Sequence, residues 1–147
     1  MPHCLPHHLD LTVSDLVRSI LFYDKVLGGL GYARTEAYAG GVPCWVIGEG
    51  SAVFSIGLHA AQSERAHDRH ATGLHHLAFH AASRGEVDAF HALLEREGIE
   101  VLDAPAEYDY APGYYAVFFA DPDGIKLELV HEPPVDARPP PDEGGLP

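Results

Sequence analysis

Apolar and polar residues alternate near the start of the chain and then change to a helical spacing. Leu9, Leu11 and Val13 alternate with polar residues, which is the period of a half-buried strand. Ser14 or Asp15 stands where a helix cap is needed after this strand. The apolar residues that then recur at helical spacing are Leu16, Ile20, Tyr23 and Leu27. The pattern predicts a strand followed by an amphipathic helix.

This first helix is expected to end at Gly28-Gly29, because glycine disfavours continuation of a helix. Two strand-like runs follow, at residues 44–47 and 52–58. The segment His59–Gly73 is polar and predicts a linker. His67 and His70 within it have a spacing that would hold a metal on a helix, but a solvated linker is the preferred interpretation.

The same order of elements then restarts. Leu77 and Phe79 alternate with polar or small residues and predict a second strand. Ser83 and Glu86 form a capping box at the start of a second helix, and Gly98 stands where that helix should end. The apolar face of this helix consists of Val87, Phe90 and Leu94.

Two strands joined by a tight turn close the pattern. They are predicted at residues 114–119 and 125–130, with the turn at 121–124. An offset of 68 positions relates His8 to His76 and Phe22 to Phe90, which indicates an internal repeat. The predicted fold class is therefore α+β, with two βαβββ modules.

The predicted domain organisation follows from this repeat. One domain spans residues 1–132, with modules at about 7–59 and 74–132. The tail, 133–147, is rich in proline and is expected to be disordered.

Composition narrows the function classes. The 147 residues carry a formal net charge of −13, with 9 basic against 22 acidic residues, so nucleic acid and anionic membranes are unexpected partners. No apolar run is long enough for a membrane span, and the first residues do not resemble a secretory signal. Cys4 and Cys44 do not form a disulfide framework, which favours a cytoplasmic location. The 11 histidines point to metal or acid–base chemistry.

Strand alternation selects three candidate metal ligands. If the apolar residues of each strand face the helices, His8, His76 and Glu128 point to the opposite faces of the sheets. Two imidazoles and one carboxylate suit Fe(II), Mn(II) or Zn(II). Each of the three also has an ordinary structural explanation, as a strand-end histidine or a surface glutamate. Their equivalent positions in a repeat favour the metal site.

The residues that begin and end the pattern resemble the vicinal oxygen chelate superfamily, which includes glyoxalase I, extradiol dioxygenases, fosfomycin-resistance thiol transferases and bleomycin-resistance proteins. The similar segments are His8–Leu16 with Ser19 and Phe22-Tyr23, Gly73–Phe79, and Phe119–Leu129. The resemblance covers about residues 7–132. It implies paired βαβββ modules that form an open, U-shaped mixed-sheet cavity, often in a homodimer, with Glu128 at a ligand position and one divalent Fe, Mn, Ni or Zn ion.

The chain also departs from particular members of that superfamily. Ser55 stands where glyoxalase I has a fourth ligand, a glutamate, and Thr12 stands where it has an arginine for glutathione. Extradiol dioxygenases share the His, His, Glu set, but most have four modules. Residues 111–115 do not resemble the potassium loop of the fosfomycin enzymes.

Two residues are candidates for a general base beside the metal, Asp10 and His80, each on the cavity face of a ligand-bearing strand. Both also fit a wet cavity wall. A group of tyrosines precedes the last hairpin, where strand packing is preferred over substrate binding. These tyrosines are Tyr108, Tyr110, Tyr114 and Tyr115, and Trp45 is expected in the core or the cavity wall.

The sequence thus predicts a metal-dependent lyase, isomerase or dioxygenase that acts on a small molecule with vicinal oxygens. One alternative is a metal-free drug-binding protein that resembles the bleomycin-resistance proteins, for which the acidic charge would attract a cationic ligand. A fosfomycin-type thiol transferase is the other.

Overall fold

The structure, a computed structural model, describes residues 5–36, 40–50 and 52–134. The described residues form two compact units. The first comprises residues up to Gly73 together with Asp121–Ile125, and the second comprises Leu74–Ala120 and the residues from Lys126 onward. Most of the tail that was predicted to be disordered lies outside the described residues.

The first unit contains one helix and a four-stranded sheet. Its elements are β1 (His8–Val13), α1 (Leu16–Gly29), β2 (Ala33–Thr35), β3 (Cys44–Ile47) and β4 (Phe54–Ala60). The strand order is β1-β4-β3-β2, with β1 and β4 parallel and the other pairs antiparallel. The core side chains, each at most 5% exposed, are Leu11, Val13, Tyr23, Val26, Leu27, Trp45, Ile56 and Leu58.

The second unit repeats this arrangement. Its elements are β5 (Leu77–His80), α2 (Arg84–Arg96), β6 (Val101–Glu107), β7 (Tyr115–Ala120) and β8 (Lys126–His131). The strand order is β5-β8-β7-β6, with β5 and β8 parallel. The predicted α+β class with two βαβββ modules is therefore confirmed. Its core includes Phe79, Val87, Phe90, Leu94, Val117, Phe119, Leu127 and Leu129.

The helix ends follow the predicted capping chemistry. Asp15, one of the two predicted caps, accepts a hydrogen bond from the Arg18 amide. Ser83 caps α2 by accepting from the Glu86 amide, and the Glu86 carboxylate accepts from the Ala82 amide. α1 ends at Gly29 as predicted, while the left-handed residue that reverses the chain is Gly31, with φ of 88°.

The end of β4 differs from the prediction. The strand runs to Ala60 rather than to Leu58, because its parallel pairing with β1 continues through His59 and Ala60. His59 is therefore a strand residue rather than the first residue of a linker. The short strand β2 and the bulged strand β6 were not located by the sequence pattern, since neither has a regular alternation.

The closing turn, Asp121–Ile125, is fastened within the first unit. Asp121 is 3% exposed and accepts hydrogen bonds from the Tyr23 hydroxyl at 3.0 Å and from the amides of Asp123 and Ile125. Asp123 accepts from the Ser14 amide at 2.9 Å and pairs with Arg18. These contacts join the turn to the start and the middle of α1.

No helix among the described residues is long and apolar enough to span a membrane.

Candidate functional site

Glu128 is a buried carboxylate in the middle of β8. Its side chain is 1% exposed, and its neighbours in register, Ala78 and Phe118, offer it no polar side chain. The Tyr114 hydroxyl donates a short hydrogen bond to Oε1, and His76 Nε2 lies 3.3 Å from Oε2. A buried carboxylate is costly unless it is paired, so these two contacts account for its stability in this position.

His76 directly precedes β5 and is oriented by its neighbour. Its Nδ1 atom lies 2.7 Å from Nδ1 of His75, so one of these nitrogens must donate and the other accept. With Nδ1 engaged in this way, Nε2 is the nitrogen that faces Glu128. The side chain is 37% exposed, which leaves room for a ligand beside it.

Tyr114 belongs to a cluster of aromatic rings beside Glu128. Burial, and then the hydrogen bond to Glu128, raises the pKa of the Tyr114 phenol, so it remains a proton donor at neutral pH. Tyr110 contacts Tyr114 edge to face and stacks on Tyr108, whose ring meets that of Phe118.

Tyr115 points elsewhere, although the sequence groups it with the other tyrosines. Its hydroxyl donates to Asp88 at 2.7 Å, and the Arg84 guanidinium lies over its ring. Tyr115 therefore contacts α2 rather than the aromatic cluster.

His8, on β1 in the first unit, repeats the arrangement of His76. It is exposed, and its Nδ1 lies 3.0 Å from Nδ1 of the preceding His7. Its partner in register on β4 is Ser55, which is 4% exposed. The position that would carry a fourth ligand in a glyoxalase I therefore lies directly beside His8 and presents a hydroxyl.

A cavity of about 220 Å³, here called the first-unit cavity, opens on this face of the sheet. Asp10 and His59 are hydrogen-bonded within it, with Oδ2 and Nε2 3.1 Å apart. Burial raises the pKa of the Cys44 thiol, so this cysteine is mainly protonated at neutral pH. The lining residues are His7, His8, Asp10, Val42, Cys44, Ser55, Gly57 and His59.

Of the three predicted ligands, the structure brings His76 and Glu128 together in the second unit, and His8 lies in the first. Among the described residues, no group of three or more His, Cys, Asp or Glu side chains is close enough together to hold a metal. Of the two candidate bases, Asp10 is held by His59. His80 is exposed at the end of β5, and within the described ranges no side chain orients it.

The sequence profile of the Glyoxalase/Bleomycin resistance protein/Dioxygenase superfamily matches residues 5–129. The chain belongs to this superfamily. The match spans both modules, and it confirms the resemblance that the opening and closing segments indicated.

One related sequence and two solved structures are similar to most of this chain. An uncharacterized protein of Bacillus subtilis, YqjT, is 36% identical over 127 residues, which are 84% of this chain and 96% of that protein. A crystal structure from Bacillus halodurans, provisionally assigned as a glyoxalase, is 32% identical with a TM-score of 0.70, and covers 87% of this chain and 96% of its own. A glyoxalase/dioxygenase from Nostoc punctiforme, 23% identical, has a TM-score of 0.67 over 87% of this chain and 90% of its own.

Several residues of the site were missed by the sequence analysis. His59 was assigned to the linker, although Ser55, Gly57 and His59 continue one period-2 face, and this was the signal that could have located it. His75 was not singled out, because strand alternation selects only His76 of these two neighbouring histidines. The contact of Tyr114 with Glu128 had no signal in the sequence, since it depends on how the loop before β7 folds back.

Proposed function

We propose that this superfamily member is a divalent-metal-dependent enzyme that acts on a small molecule with two adjacent oxygen atoms, as a lyase, isomerase or dioxygenase. The observation that carries the proposal is the pair of His76 and the buried Glu128, whose Nε2 and Oε2 atoms are 3.3 Å apart. His8 is the third proposed ligand.

The donor atoms of His8, His76 and Glu128 are of the kinds that such a metal binds. Imidazole nitrogen and carboxylate oxygen suit Fe(II), Mn(II), Ni(II) and Zn(II), and a set of only three protein ligands leaves open positions. Metal-binding histidines usually donate their second ring nitrogen to a neighbouring group. In both His8 and His76 the Nδ1 atom has such a neighbour, and Nε2 is left as the ligand atom.

When bound, the metal would act as a Lewis acid toward the two adjacent oxygens of the substrate. Tyr114 holds the carboxylate of Glu128 in place through its hydroxyl. Asp10 and His80 are the proposed groups for proton transfer, and of these Asp10 shares the first-unit cavity with His8.

The ligand assignment is tested by metal uptake of purified variants after dialysis against Fe(II), Mn(II), Ni(II) or Zn(II). His76→Ala and Glu128→Ala are expected to lose the metal, because each removes a donor atom, while circular dichroism reports a retained fold. His91→Ala is the matched control, since His91 lies on α2 and pairs with Glu95 on the surface at 3.7 Å. Unchanged metal content in both ligand variants would refute the assignment.

A second candidate function is metal-free binding of a cationic drug, as in the bleomycin-resistance proteins. The observation that favours it is the formal net charge of −13. Calorimetric titration of chelator-treated protein with bleomycin distinguishes the two. Tight, salt-sensitive binding without metal favours the second function, and no heat of binding favours the first.

The partners, the location and the oligomeric state of the protein are also proposed. The substrate is a small molecule, neither nucleic acid nor a membrane is a partner, and the protein acts as a cytoplasmic homodimer. Sedimentation of the purified chain is expected to give twice the mass of one chain. The mass of a single chain at micromolar concentration would contradict the dimer.

A further inference from the structure

Asp10 and His59 are paired by the register of two parallel strands. Asp10 lies opposite Gly57, and His59 lies opposite Thr12, so the acid and the imidazole stand diagonally on one face of the sheet. Oδ2 of Asp10 lies 3.1 Å from Nε2 of His59. Both side chains are 46% exposed, so they are reached from the cavity rather than enclosed in the core.

Gly57 is the residue that allows this pairing. A Cβ atom at this position would lie 2.5 Å from Oδ1 of Asp10, closer than such atoms approach. The carboxylate therefore lies directly over the glycine as it reaches across β4 toward His59. The φ of Gly57 is not in the left-handed region, so the need for glycine here is a need for space.

The pair stands in a cavity of the right size for a small ligand. Its volume of about 220 Å³ is below that of pockets for drug-sized molecules, which begin at about 300 Å³. Cys44 and Ser55 contribute a thiol and a hydroxyl to the lining and are 5% and 4% exposed. His8, the proposed metal ligand, lines the same cavity.

We infer that His59 is the general base of this cavity and that Asp10 is its positioning residue. The inference rests on the proposed function for its substrate class, a small compound with an acidic C–H or O–H bond beside two adjacent oxygens. The proton acceptor is then His59, rather than Asp10 or His80.

The direction of the hydrogen bond determines which nitrogen reacts. The Asp10 carboxylate accepts, so neutral His59 carries its proton on Nε2 and its lone pair on Nδ1. Nδ1 has no hydrogen-bond partner in the part of the chain that the structure describes. In the proton transfer the C–H or O–H bond of the substrate breaks and an Nδ1–H bond forms. The resulting imidazolium donates its Nε2–H to the carboxylate of Asp10, and the proton later returns from Nδ1 to the product.

The tautomer is measured first, by long-range ¹H–¹⁵N correlation spectra of the metal-free, histidine-labelled chain. We expect the Nε2–H form alone at His59 once the ring is neutral. Asp10→Ala, and Gly57→Ala, which displaces the carboxylate, should each give a mixture of tautomers. Thr12→Val, a change of similar volume beside His59, should keep the single form. A mixed tautomer in the wild type, or no change in both Asp10→Ala and Gly57→Ala, would overturn the inference.

Reactivity is measured with an affinity reagent, 1-chloro-3-hydroxyacetone, which carries two adjacent oxygens. The His59 lone pair displaces chloride and forms an Nδ1–carbon bond, and peptide mass spectrometry locates the label. We expect His59 to be labelled well ahead of His70 and His91, and Asp10→Ala to reduce it to their rate. Labelling of Cys44 first, or of all histidines equally, would contradict the role of His59.

The proposed metal site and the proposed role of His59 are tested independently of each other. Both measurements use metal-free protein, and in His76→Ala, which is expected to lose the metal, the tautomer and labelling of His59 should be those of the wild type. A chain that binds no metal but labels at His59 refutes only the metal site. A chain that binds metal through His76 and Glu128 but does not label at His59 refutes only the base.

Discussion

At the scale of single residues, the site depends on side chains that are oriented by a neighbour. Glu128 is held by Tyr114 and His76, His76 by His75, His8 by His7, and Asp10 by His59. Both carboxylate oxygens of Glu128 are engaged, whereas in His76, His8 and Asp10 the neighbour engages one atom of the side chain. A second atom is then presented in a defined direction, as an open metal site or an acid–base site requires.

The contact of Tyr114 with Glu128 gives a prediction of stability. Tyr114→Phe leaves one oxygen of the buried carboxylate without its donor, so the free energy of unfolding should fall by about 1–3 kcal/mol. Urea unfolding, followed by circular dichroism, measures the change.

Tyr115→Phe is the control for Tyr114→Phe. Its hydroxyl bonds the exposed Asp88, and water can replace it there, so the loss should stay below about 0.5 kcal/mol. Equal losses of unfolding free energy in the two variants would show that the buried hydrogen bond of Tyr114 stabilises the fold no more than the exposed one of Tyr115.

The sequence could predict only some of these residues. Strand alternation selected His8 and His76, and the closing segment Phe119–Leu129 indicated Glu128 as a ligand. Of these three residues, the structure brings together His76 and Glu128. His59 was missed because β4 was predicted to end at Leu58, although His59 continues the alternation of Ser55 and Gly57, and the parallel pairing with β1 extends the strand to Ala60. The partners of Tyr114 depend on tertiary contacts, which the spacing of residues in the sequence does not predict.

At the scale of elements, the closing turn between β7 and β8 stabilises the start of the chain. Its Asp121 and Asp123 accept hydrogen bonds from Tyr23, Ser14 and Arg18 of the α1 region. The sequence predicted a tight turn at 121–124 from its Asp, Pro and Gly residues. It gave no sign that the two aspartates fasten the turn to α1.

The buried bond in this turn gives a second prediction of stability. Tyr23→Phe keeps the ring, which is fully buried, but removes the donor to the buried Asp121, so unfolding should become easier by about 1–3 kcal/mol. Thermal and urea unfolding measure the effect, again with Tyr115→Phe as the reference. A wild-type stability in Tyr23→Phe would mean that the turn is held by its backbone bonds alone.

The boundaries of an element could be predicted where its own sequence has a regular pattern or a cap. β3 matches its predicted residues, 44–47, and both helices begin beside the caps that the sequence offers. β4 was displaced by two residues, because its ends are set by the strand that it pairs with. β6, with Pro105 and two register irregularities, has no regular alternation to detect.

At the scale of the whole molecule, the predicted fold rested mainly on the internal repeat. The common offset between the two halves predicted two modules of the same order, and each unit of the structure has one helix and one four-stranded sheet with a parallel outer pair. Superfamily membership then follows from the chain as a whole. The substrate does not follow from the repeat, because it depends on the side chains that line the site.

The binding of one divalent metal by this chain is measured by metal analysis of untagged wild-type protein. Protein dialysed against Fe(II), Mn(II), Ni(II) or Zn(II), then freed of loose metal, should retain about one equivalent per chain of at least one ion. Retention below about 0.2 equivalents of every ion would refute the proposed metal site, because the proposed ligands would then hold no metal.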